Sequence, residues 1–113
     1  MKVVYLIGPY RSDTEYGVHL NIQDAERQAL QIWKLGAACI CPHKNTAYFG
    51  GACLDEVWLE GDLEIMRRCD AVYCGVGDNR SVGGQAELAE ARRFGLPIAY
   101  SFQELNAWLK ANP

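Results

Sequence analysis

Asp70-Ala71-Val72-Tyr73-Cys74-Gly75, followed after a short polar stretch by Ser81-Val82-Gly83-Gly84-Gln85-Ala86-Glu87-Leu88-Ala89-Glu90-Ala91, reads as a buried strand, a Gly-rich loop and a helix. The spacing puts Glu87 in about the first turn of that helix, just beyond two glycines. Backbone without Cβ atoms lets a ligand approach closely, and the N–H groups of a helix N-terminus favour negative charge. A carboxylate held there is expected to stay ionised, and an ionised carboxylate beside a ligand-sized gap can act as a nucleophile. Taken alone, the segment is also read as an ordinary acidic first turn, which helices favour in any case.

Strand and helix signals alternate on either side of this unit. Val3-Val4-Tyr5-Leu6-Ile7 is a continuous apolar run of the kind covered on both faces. After the loop Gly8–Asp13 a helix is expected from about Gly17 or His19 to Leu35, with Ile22, Ala25, Ala29, Ile32 and Trp33 at helical spacing and Gly36 at its end. Ala37–Cys41 reads as the second strand, stopped by Pro42. A long connection to about Leu54 precedes a helix carrying Val57, Trp58, Leu63 and Met66. A helix from about Gly83 to Phe94, a strand over Leu96–Tyr100 and a short helix over Gln103–Lys110 complete the chain.

This βαβαβαβα order predicts an α/β fold of three layers, a small parallel sheet flanked by helices, within one domain spanning residues 1–113. Right-handed crossovers give strand order 2-1-3-4, as in small flavodoxin-like or Rossmann-like sheets. Ligands of such sheets bind beyond the carboxyl ends of the strands, at the switch point between strands 1 and 3. Gly8–Asp13, Pro42–Cys53 and Gly75–Gly84 converge on that edge.

Composition narrows the function. Half of the 113 residues are hydrophobic and the net charge is −3 with both signs interspersed. That supports a packed core and argues against a nucleic-acid polymer as partner, which usually needs a basic stripe. A single nucleotide needs only a few local donors. The longest apolar runs are too short to cross a bilayer, and because the N-terminal residues lead directly into the strand-like Val3–Ile7, no signal peptide is expected. Five cysteines (Cys39, Cys41, Cys53, Cys69, Cys74), odd in number and without a Cys-x-x-Cys pair, suggest reduced thiols in a cytoplasmic protein. Cys39, Cys41 and His43 share a strand face by alternation. Their spacing is poor for zinc, and buried packing explains the cysteines more simply, so no metal is expected. Small α/β domains of this kind often form homodimers or higher homo-oligomers, and Trp33, Trp58 and Trp108 are candidates for core or interface.

Common cofactor motifs are missing. The loop after the first strand is Gly8-Pro9-Tyr10-Arg11, not Gly-x-Gly-x-x-Gly, and Gly75-x-Gly77 is followed by Arg at position 80. There is no P-loop, and Ser81 and His43 lack a nucleophile elbow. No cofactor is therefore expected. What remains is Tyr5 and Arg11 near the end of the first strand, His43 and Asn45 after the second, Asp62 on a helix, and Ser81, Gly83 and Glu87. Each has a bland role available, and their shared sheet edge is what sets them apart.

Together these residues resemble the nucleoside 2-deoxyribosyltransferase superfamily, which includes the 2′-deoxynucleoside 5′-phosphate N-hydrolases. The matching pieces are Val4-Tyr5-Leu6-Ile7-Gly8-Pro9-Tyr10-Arg11, then Gly61-Asp62-Leu63 through Cys69-Asp70-Ala71-Val72. Ser81-x-Gly83-x-x-x-Glu87-Leu88-x-x-Ala91 leads on to Gly95-x-Pro97-Ile98. The resemblance implies that Glu87 is a catalytic glutamate acting at C1′ of a deoxyribose, where bond cleavage develops an oxocarbenium ion. It implies that Asp62 orients the sugar and assists acid–base steps, and that Tyr5 lies near the sugar or leaving base. Gly8 and Gly83 would let backbone lie against a nucleoside or nucleotide. Ser81 stands where the nucleotide hydrolases contact the 5′-phosphate and, with Arg11, leans towards a monophosphate. Tyr10 belongs to the same binding loop, and His43, Asn45, Tyr48 and Phe49 are placed to line the base pocket. Characterised members continue beyond the fourth strand into further sheet and segments that complete a neighbouring subunit's site. Here Ile98-Ala99-Tyr100 runs directly into the last helix, which leaves contacts from a partner subunit open. A non-catalytic nucleotide-binding or sensing module on the same fold is the alternative function.

Overall fold

A computed structural model describes residues 1–75 and 82–113, with backbone only at 82 and 83. In order, the elements are β1 (Val3–Ile7), α1 (Glu15–Lys34), β2 (Ala38–Ile40), α2 (Pro42–Asn45), α3 (Asp55–Arg67), β3 (Ala71–Cys74), α4 (Val82–Phe94), β4 (Ile98–Ala99) and α5 (Phe102–Ala111). Four parallel strands form one sheet in the order β2-β1-β3-β4. The α/β class, the parallel pairing and the 2-1-3-4 order all follow the sequence pattern.

Period-two alternation along β1 sorts the core into two halves. Val4 and Leu6 pack with Ala25, Ala29 and Ile32 of α1 and Leu105 of α5. Tyr5 and Ile7 point the other way, into Met66 of α3 and Leu88 and Ala91 of α4. Helices therefore cover both faces, and β1 is fully buried from Val4 to Ile7. At the amino edge Asp70 clamps β1 to the entry of β3: its N–H donates to the Val3 carbonyl at 2.8 Å, and its carboxylate accepts from the Val3 N–H at 2.7 Å.

Element ends differ from expectation for local reasons. The first helix begins at Glu15 rather than Gly17, because Thr14 caps it, its hydroxyl accepting from the Gly17 N–H at 2.9 Å. Gly36 (φ 93°) and Gly95 (φ 72°) end α1 and α4 in left-handed backbone that favours glycine. The last strand contracts to Ile98–Ala99, since Ser101 caps α5 by accepting from the Glu104 N–H at 3.1 Å. Inside the long connection, Pro42 starts a single helical turn, α2, with its missing N–H in a position that needs none. Trp33, counted with the inner stripe of α1 by spacing, lies 53 % exposed at the margin of that stripe. Among the described residues no helix is long and apolar enough to cross a membrane.

Candidate functional site

Three elements deliver Tyr5, Asp62 and Glu87 to one place. Tyr5 comes from the middle of β1 and is completely buried. Asp62 lies on the inner stripe of α3, in helical register with the buried Met66. Glu87 precedes the buried Leu88 on α4, which packs against α3.

Their proximity is visible in their protonation. Burial pushes the Glu87 carboxyl up to about 7; the Tyr5 hydroxyl, oriented towards it, pulls the other way, and the Asp62 charge adds to the rise. Burial likewise lifts Asp62 to about 6. Tyr5 is raised far above the ordinary phenol value, first by burial and then by the Glu87 and Asp62 carboxylates, so it stays protonated. The Tyr5–Glu87 pair stops short of a full hydrogen bond, since Tyr5 Oη and Glu87 Oε2 are buried with no such partner among the described residues.

The expectation that a helix N-terminus keeps Glu87 ionised is corrected here. Helix α4 begins at Val82, so Glu87 is its sixth residue, in the second turn. The dipole's effect is concentrated in the first turn. Desolvation therefore dominates, and the carboxyl titrates near neutrality.

A lattice of charges that sequence reading missed fixes α3 against α4. Arg67 of α3 reaches Glu64 at 3.2 Å and Glu90 of α4 at 3.4 Å, and its guanidinium lies 5.3 Å from the centre of the Phe94 ring. Arg93 also pairs with Glu90, one turn beyond Glu87 on α4. The i,i+3 spacing of Glu64–Arg67 and Glu90–Arg93 was the available signal, but the bridge between helices appears only after packing.

The loop from Gly8 to Thr14 follows the carboxyl end of β1. His43, only 4 % exposed, holds it: the imidazole is kept neutral by burial, so its Nε2–H donates to the Pro9 carbonyl at 2.9 Å. The His43 Nδ1 is buried without a partner among the described residues. Tyr10 packs its ring on His43, with centroids 5.8 Å apart. Asn21 of α1, which sequence reading did not single out, donates to the Tyr10 and Arg11 carbonyls at 3.1 and 3.2 Å. Gly17 permits the same fold-back, because a Cβ there would meet the Ser12 Oγ at 1.8 Å.

Arg11 pairs with Asp55, the first residue of α3, at 2.8 Å, both side chains exposed. An open cleft of about 410 Å³ is lined by Tyr10, Arg11, Ser12, Asp13 and Val18, not by the buried cluster. Gly8 is half-buried, Asn45 is exposed at the end of α2, and Gly83 lies in the first turn of α4. His43 supports the Pro9 carbonyl through its Nε2. Tyr48 stands 96 % exposed with φ 67°, whereas Phe49 pairs with Trp58 of α3, centroids 5.9 Å apart. Ser81, expected at a phosphate, lies outside the described residues.

Cys39, Cys41, Cys53 and Cys69 form no disulfide. Burial pushes the Cys39 thiol up to about 12 and Cys69 up to about 11, which disfavours the thiolate needed for a metal or a nucleophile. No group of three or more metal-ligating side chains is gathered among the described residues.

The model of a family described as Domain of unknown function (DUF7768) matches residues 2–101. No curated protein matches the chain. Among solved structures, the 2-deoxyribosyltransferase from the psychrotolerant bacterium Bacillus psychrosaccharolyticus superposes with a TM-score of 0.66. The match covers 85 % of this chain and 69 % of that one at 21 % sequence identity. That protein is described as a biocatalyst for the synthesis of antiviral and antitumoral nucleosides. The two chains share a fold.

Proposed function

The chain belongs to the DUF7768 family, and we propose that it cleaves or exchanges the N-glycosidic bond of a 2′-deoxynucleoside or its 5′-monophosphate. The observation that carries this reading is the cluster of Tyr5, Asp62 and Glu87, two near-neutral carboxyls and a protonated phenol on one sheet face. The shared fold with a 2-deoxyribosyltransferase supports it.

In this reading Glu87, ionised, sits against C1′ of the sugar. As the bond from C1′ to the base breaks, its electron pair goes to the base nitrogen and positive charge develops on the ring. Glu87 forms the new bond to C1′, and Asp62, protonated, gives its proton to the departing base. Water or a second base then attacks C1′ and releases Glu87. Lack of a 2′-hydroxyl makes the cation easier to form. Tyr5 orients the Glu87 carboxylate. With a monophosphate, Arg11 turns from Asp55 to the phosphate and Ser81 assists.

The test is to incubate the protein with the four deoxynucleosides and their 5′-monophosphates, with and without a free acceptor base, and follow released or exchanged base. Turnover that vanishes in Glu87→Ala supports the reading. Binding without turnover across the panel replaces it with a nucleotide-binding module, and turnover unchanged in Glu87→Ala removes Glu87 from its role.

A further inference from the structure

One flank of α1 is polar. Gly17, Asn21, Asp24 and Gln28 recur at i, i+4, i+7 and i+11, a single stripe beside the buried Ala25, Ala29 and Ile32. Asp24 accepts from Gln28 Nε2 at 2.8 Å within the stripe, and its charge reaches His43 of α2. The loop after β1 is seated on the first half of this stripe. Its Ser12 crosses Gly17 so closely that a Cβ there would meet the hydroxyl, and Asn21 takes up the next two links.

The amide nitrogen of Asn21 donates to two successive carbonyls, Tyr10 at 3.1 Å and Arg11 at 3.2 Å. The carbonyl before them, that of Pro9, is held by His43. Three consecutive peptide groups are therefore fixed by side chains from outside the loop. Holding a planar peptide restrains the torsions on both sides of it, and lost torsional freedom is the main cost of ordering a loop.

The open cleft depends on the same hold. Tyr10, Arg11, Ser12 and Asp13 line it from the loop, and Val18 lines it from α1. Asn21 stands three residues after Val18 on that helix and ties the Tyr10 and Arg11 backbone to it. The spacing between loop and helix, and with it the shape of the cleft, is set from Asn21.

We infer that Asn21 is a positioning residue, which holds the Gly8–Asp13 loop in the shape that receives the substrate. It acts through the backbone of Tyr10 and Arg11 and touches no reacting atom. The inference rests on the proposed function in one respect, that this loop meets the substrate. A loop ordered before the ligand arrives adds no ordering cost to binding, so loss of Asn21 appears in affinity and not in the chemical step.

Asn21→Leu keeps the size of the side chain and removes its donors, and Asn21→Gln keeps the amide on a longer arm. Circular dichroism verifies folding, and Asn21→Asp, isosteric and without the donors, takes the place of an Asn21→Leu that does not fold. With deoxynucleoside 5′-monophosphates, Asn21→Leu is expected to raise KM about tenfold while kcat stays within about twofold. Calorimetric affinity falls in step, and Asn21→Gln recovers most of the loss. Amide hydrogen exchange over residues 8–14 speeds up about tenfold in Asn21→Leu, while exchange at Ala25, Ala29 and Ile32 does not change.

A folded Asn21→Leu with KM and affinity within about twofold of the parent overturns the inference, as does a fall in kcat at unchanged KM. No binding of any monophosphate by the parent overturns it too. Monophosphates bound without turnover, and more weakly by Asn21→Leu, leave Asn21 in its role and remove the glycosidic chemistry. Parent turnover with KM and loop exchange unmoved in Asn21→Leu does the reverse.

Discussion

Tyr5 of β1, fully buried, and Glu87 of α4, half-buried, lie side by side with the phenol oriented to the carboxylate. Yet the buried Tyr5 Oη and Glu87 Oε2 lack a full hydrogen bond among the described residues. Such a pair is costly to bury and easy to complete with a ligand's hydroxyl. Removing the phenol oxygen in Tyr5→Phe is therefore expected to change stability by less than about 1 kcal/mol. It also removes the one influence that lowers the Glu87 pKa, so Glu87 ionises at higher pH. Activity at pH 6–7 falls more than activity at pH 9, as pH–rate profiles of the two proteins will show.

Burial places Glu87 near 7 and Asp62 near 6, so both carboxyls change charge around neutral pH. If Glu87 attacks as the anion and Asp62 donates a proton, kcat/KM is bell-shaped. Its two limbs near 6 and 7 are apparent values of the coupled pair. Because Glu87 has the higher value, the reactive form, with Glu87 ionised and Asp62 protonated, is the minor singly protonated species. Asp62→Asn removes one limb and lowers kcat/KM by about 10²–10⁴-fold. A profile flat from pH 5 to 9 would contradict the assignment.

The same carboxyl shift has a consequence for folding. A carboxyl whose folded pKa lies above its unfolded value stabilises the fold fully below the unfolded value, about 4.3, and loses that contribution as pH rises through 7. Glu87→Gln removes the penalty. The variant is expected to be about 1–3 kcal/mol more stable than the parent at pH 8, with the difference closing towards pH 4 in urea titrations.

His43 shows the opposite sign. Burial lowers its pKa, so the stability it provides is present above the ordinary histidine value and lost as pH falls through its folded pKa. Replacing it in His43→Leu frees the Pro9 carbonyl and costs about 1–3 kcal/mol at pH 8. Thermal melts at pH 8 and pH 5 should show a smaller gap between the proteins at the lower pH.

Arg11 and Asp55 form an exposed pair, of the kind worth about 0–1 kcal/mol. Asp55→Asn should leave Tm nearly unchanged while releasing Arg11. If Arg11 meets a phosphate, KM for a deoxynucleoside 5′-monophosphate drops severalfold in Asp55→Asn and KM for the free deoxynucleoside does not move. Equal effects on both substrates would take Arg11 out of phosphate recognition.

The sheet and its order follow from the amino-acid pattern. Continuous apolar strands such as Val3–Ile7, alternating with helices of 3.6-residue period, leave a parallel sheet covered on both faces as the arrangement that buries them. Tyr5, Asp62 and Glu87 stand out because the predicted topology and the family resemblance place them at one sheet edge, and the structure brings the three together. Tertiary structure alone decided the electrical state of Glu87. Where α4 begins, and how deeply the α3–α4 side buries the carboxyl, set its pKa, and neither is a local property. It also decided that Arg11 is bound to Asp55, that His43 supports Pro9, and that Phe49 meets Trp58. Each joins residues from separate elements, and their distances exist only once the sheet has brought its loops to one edge.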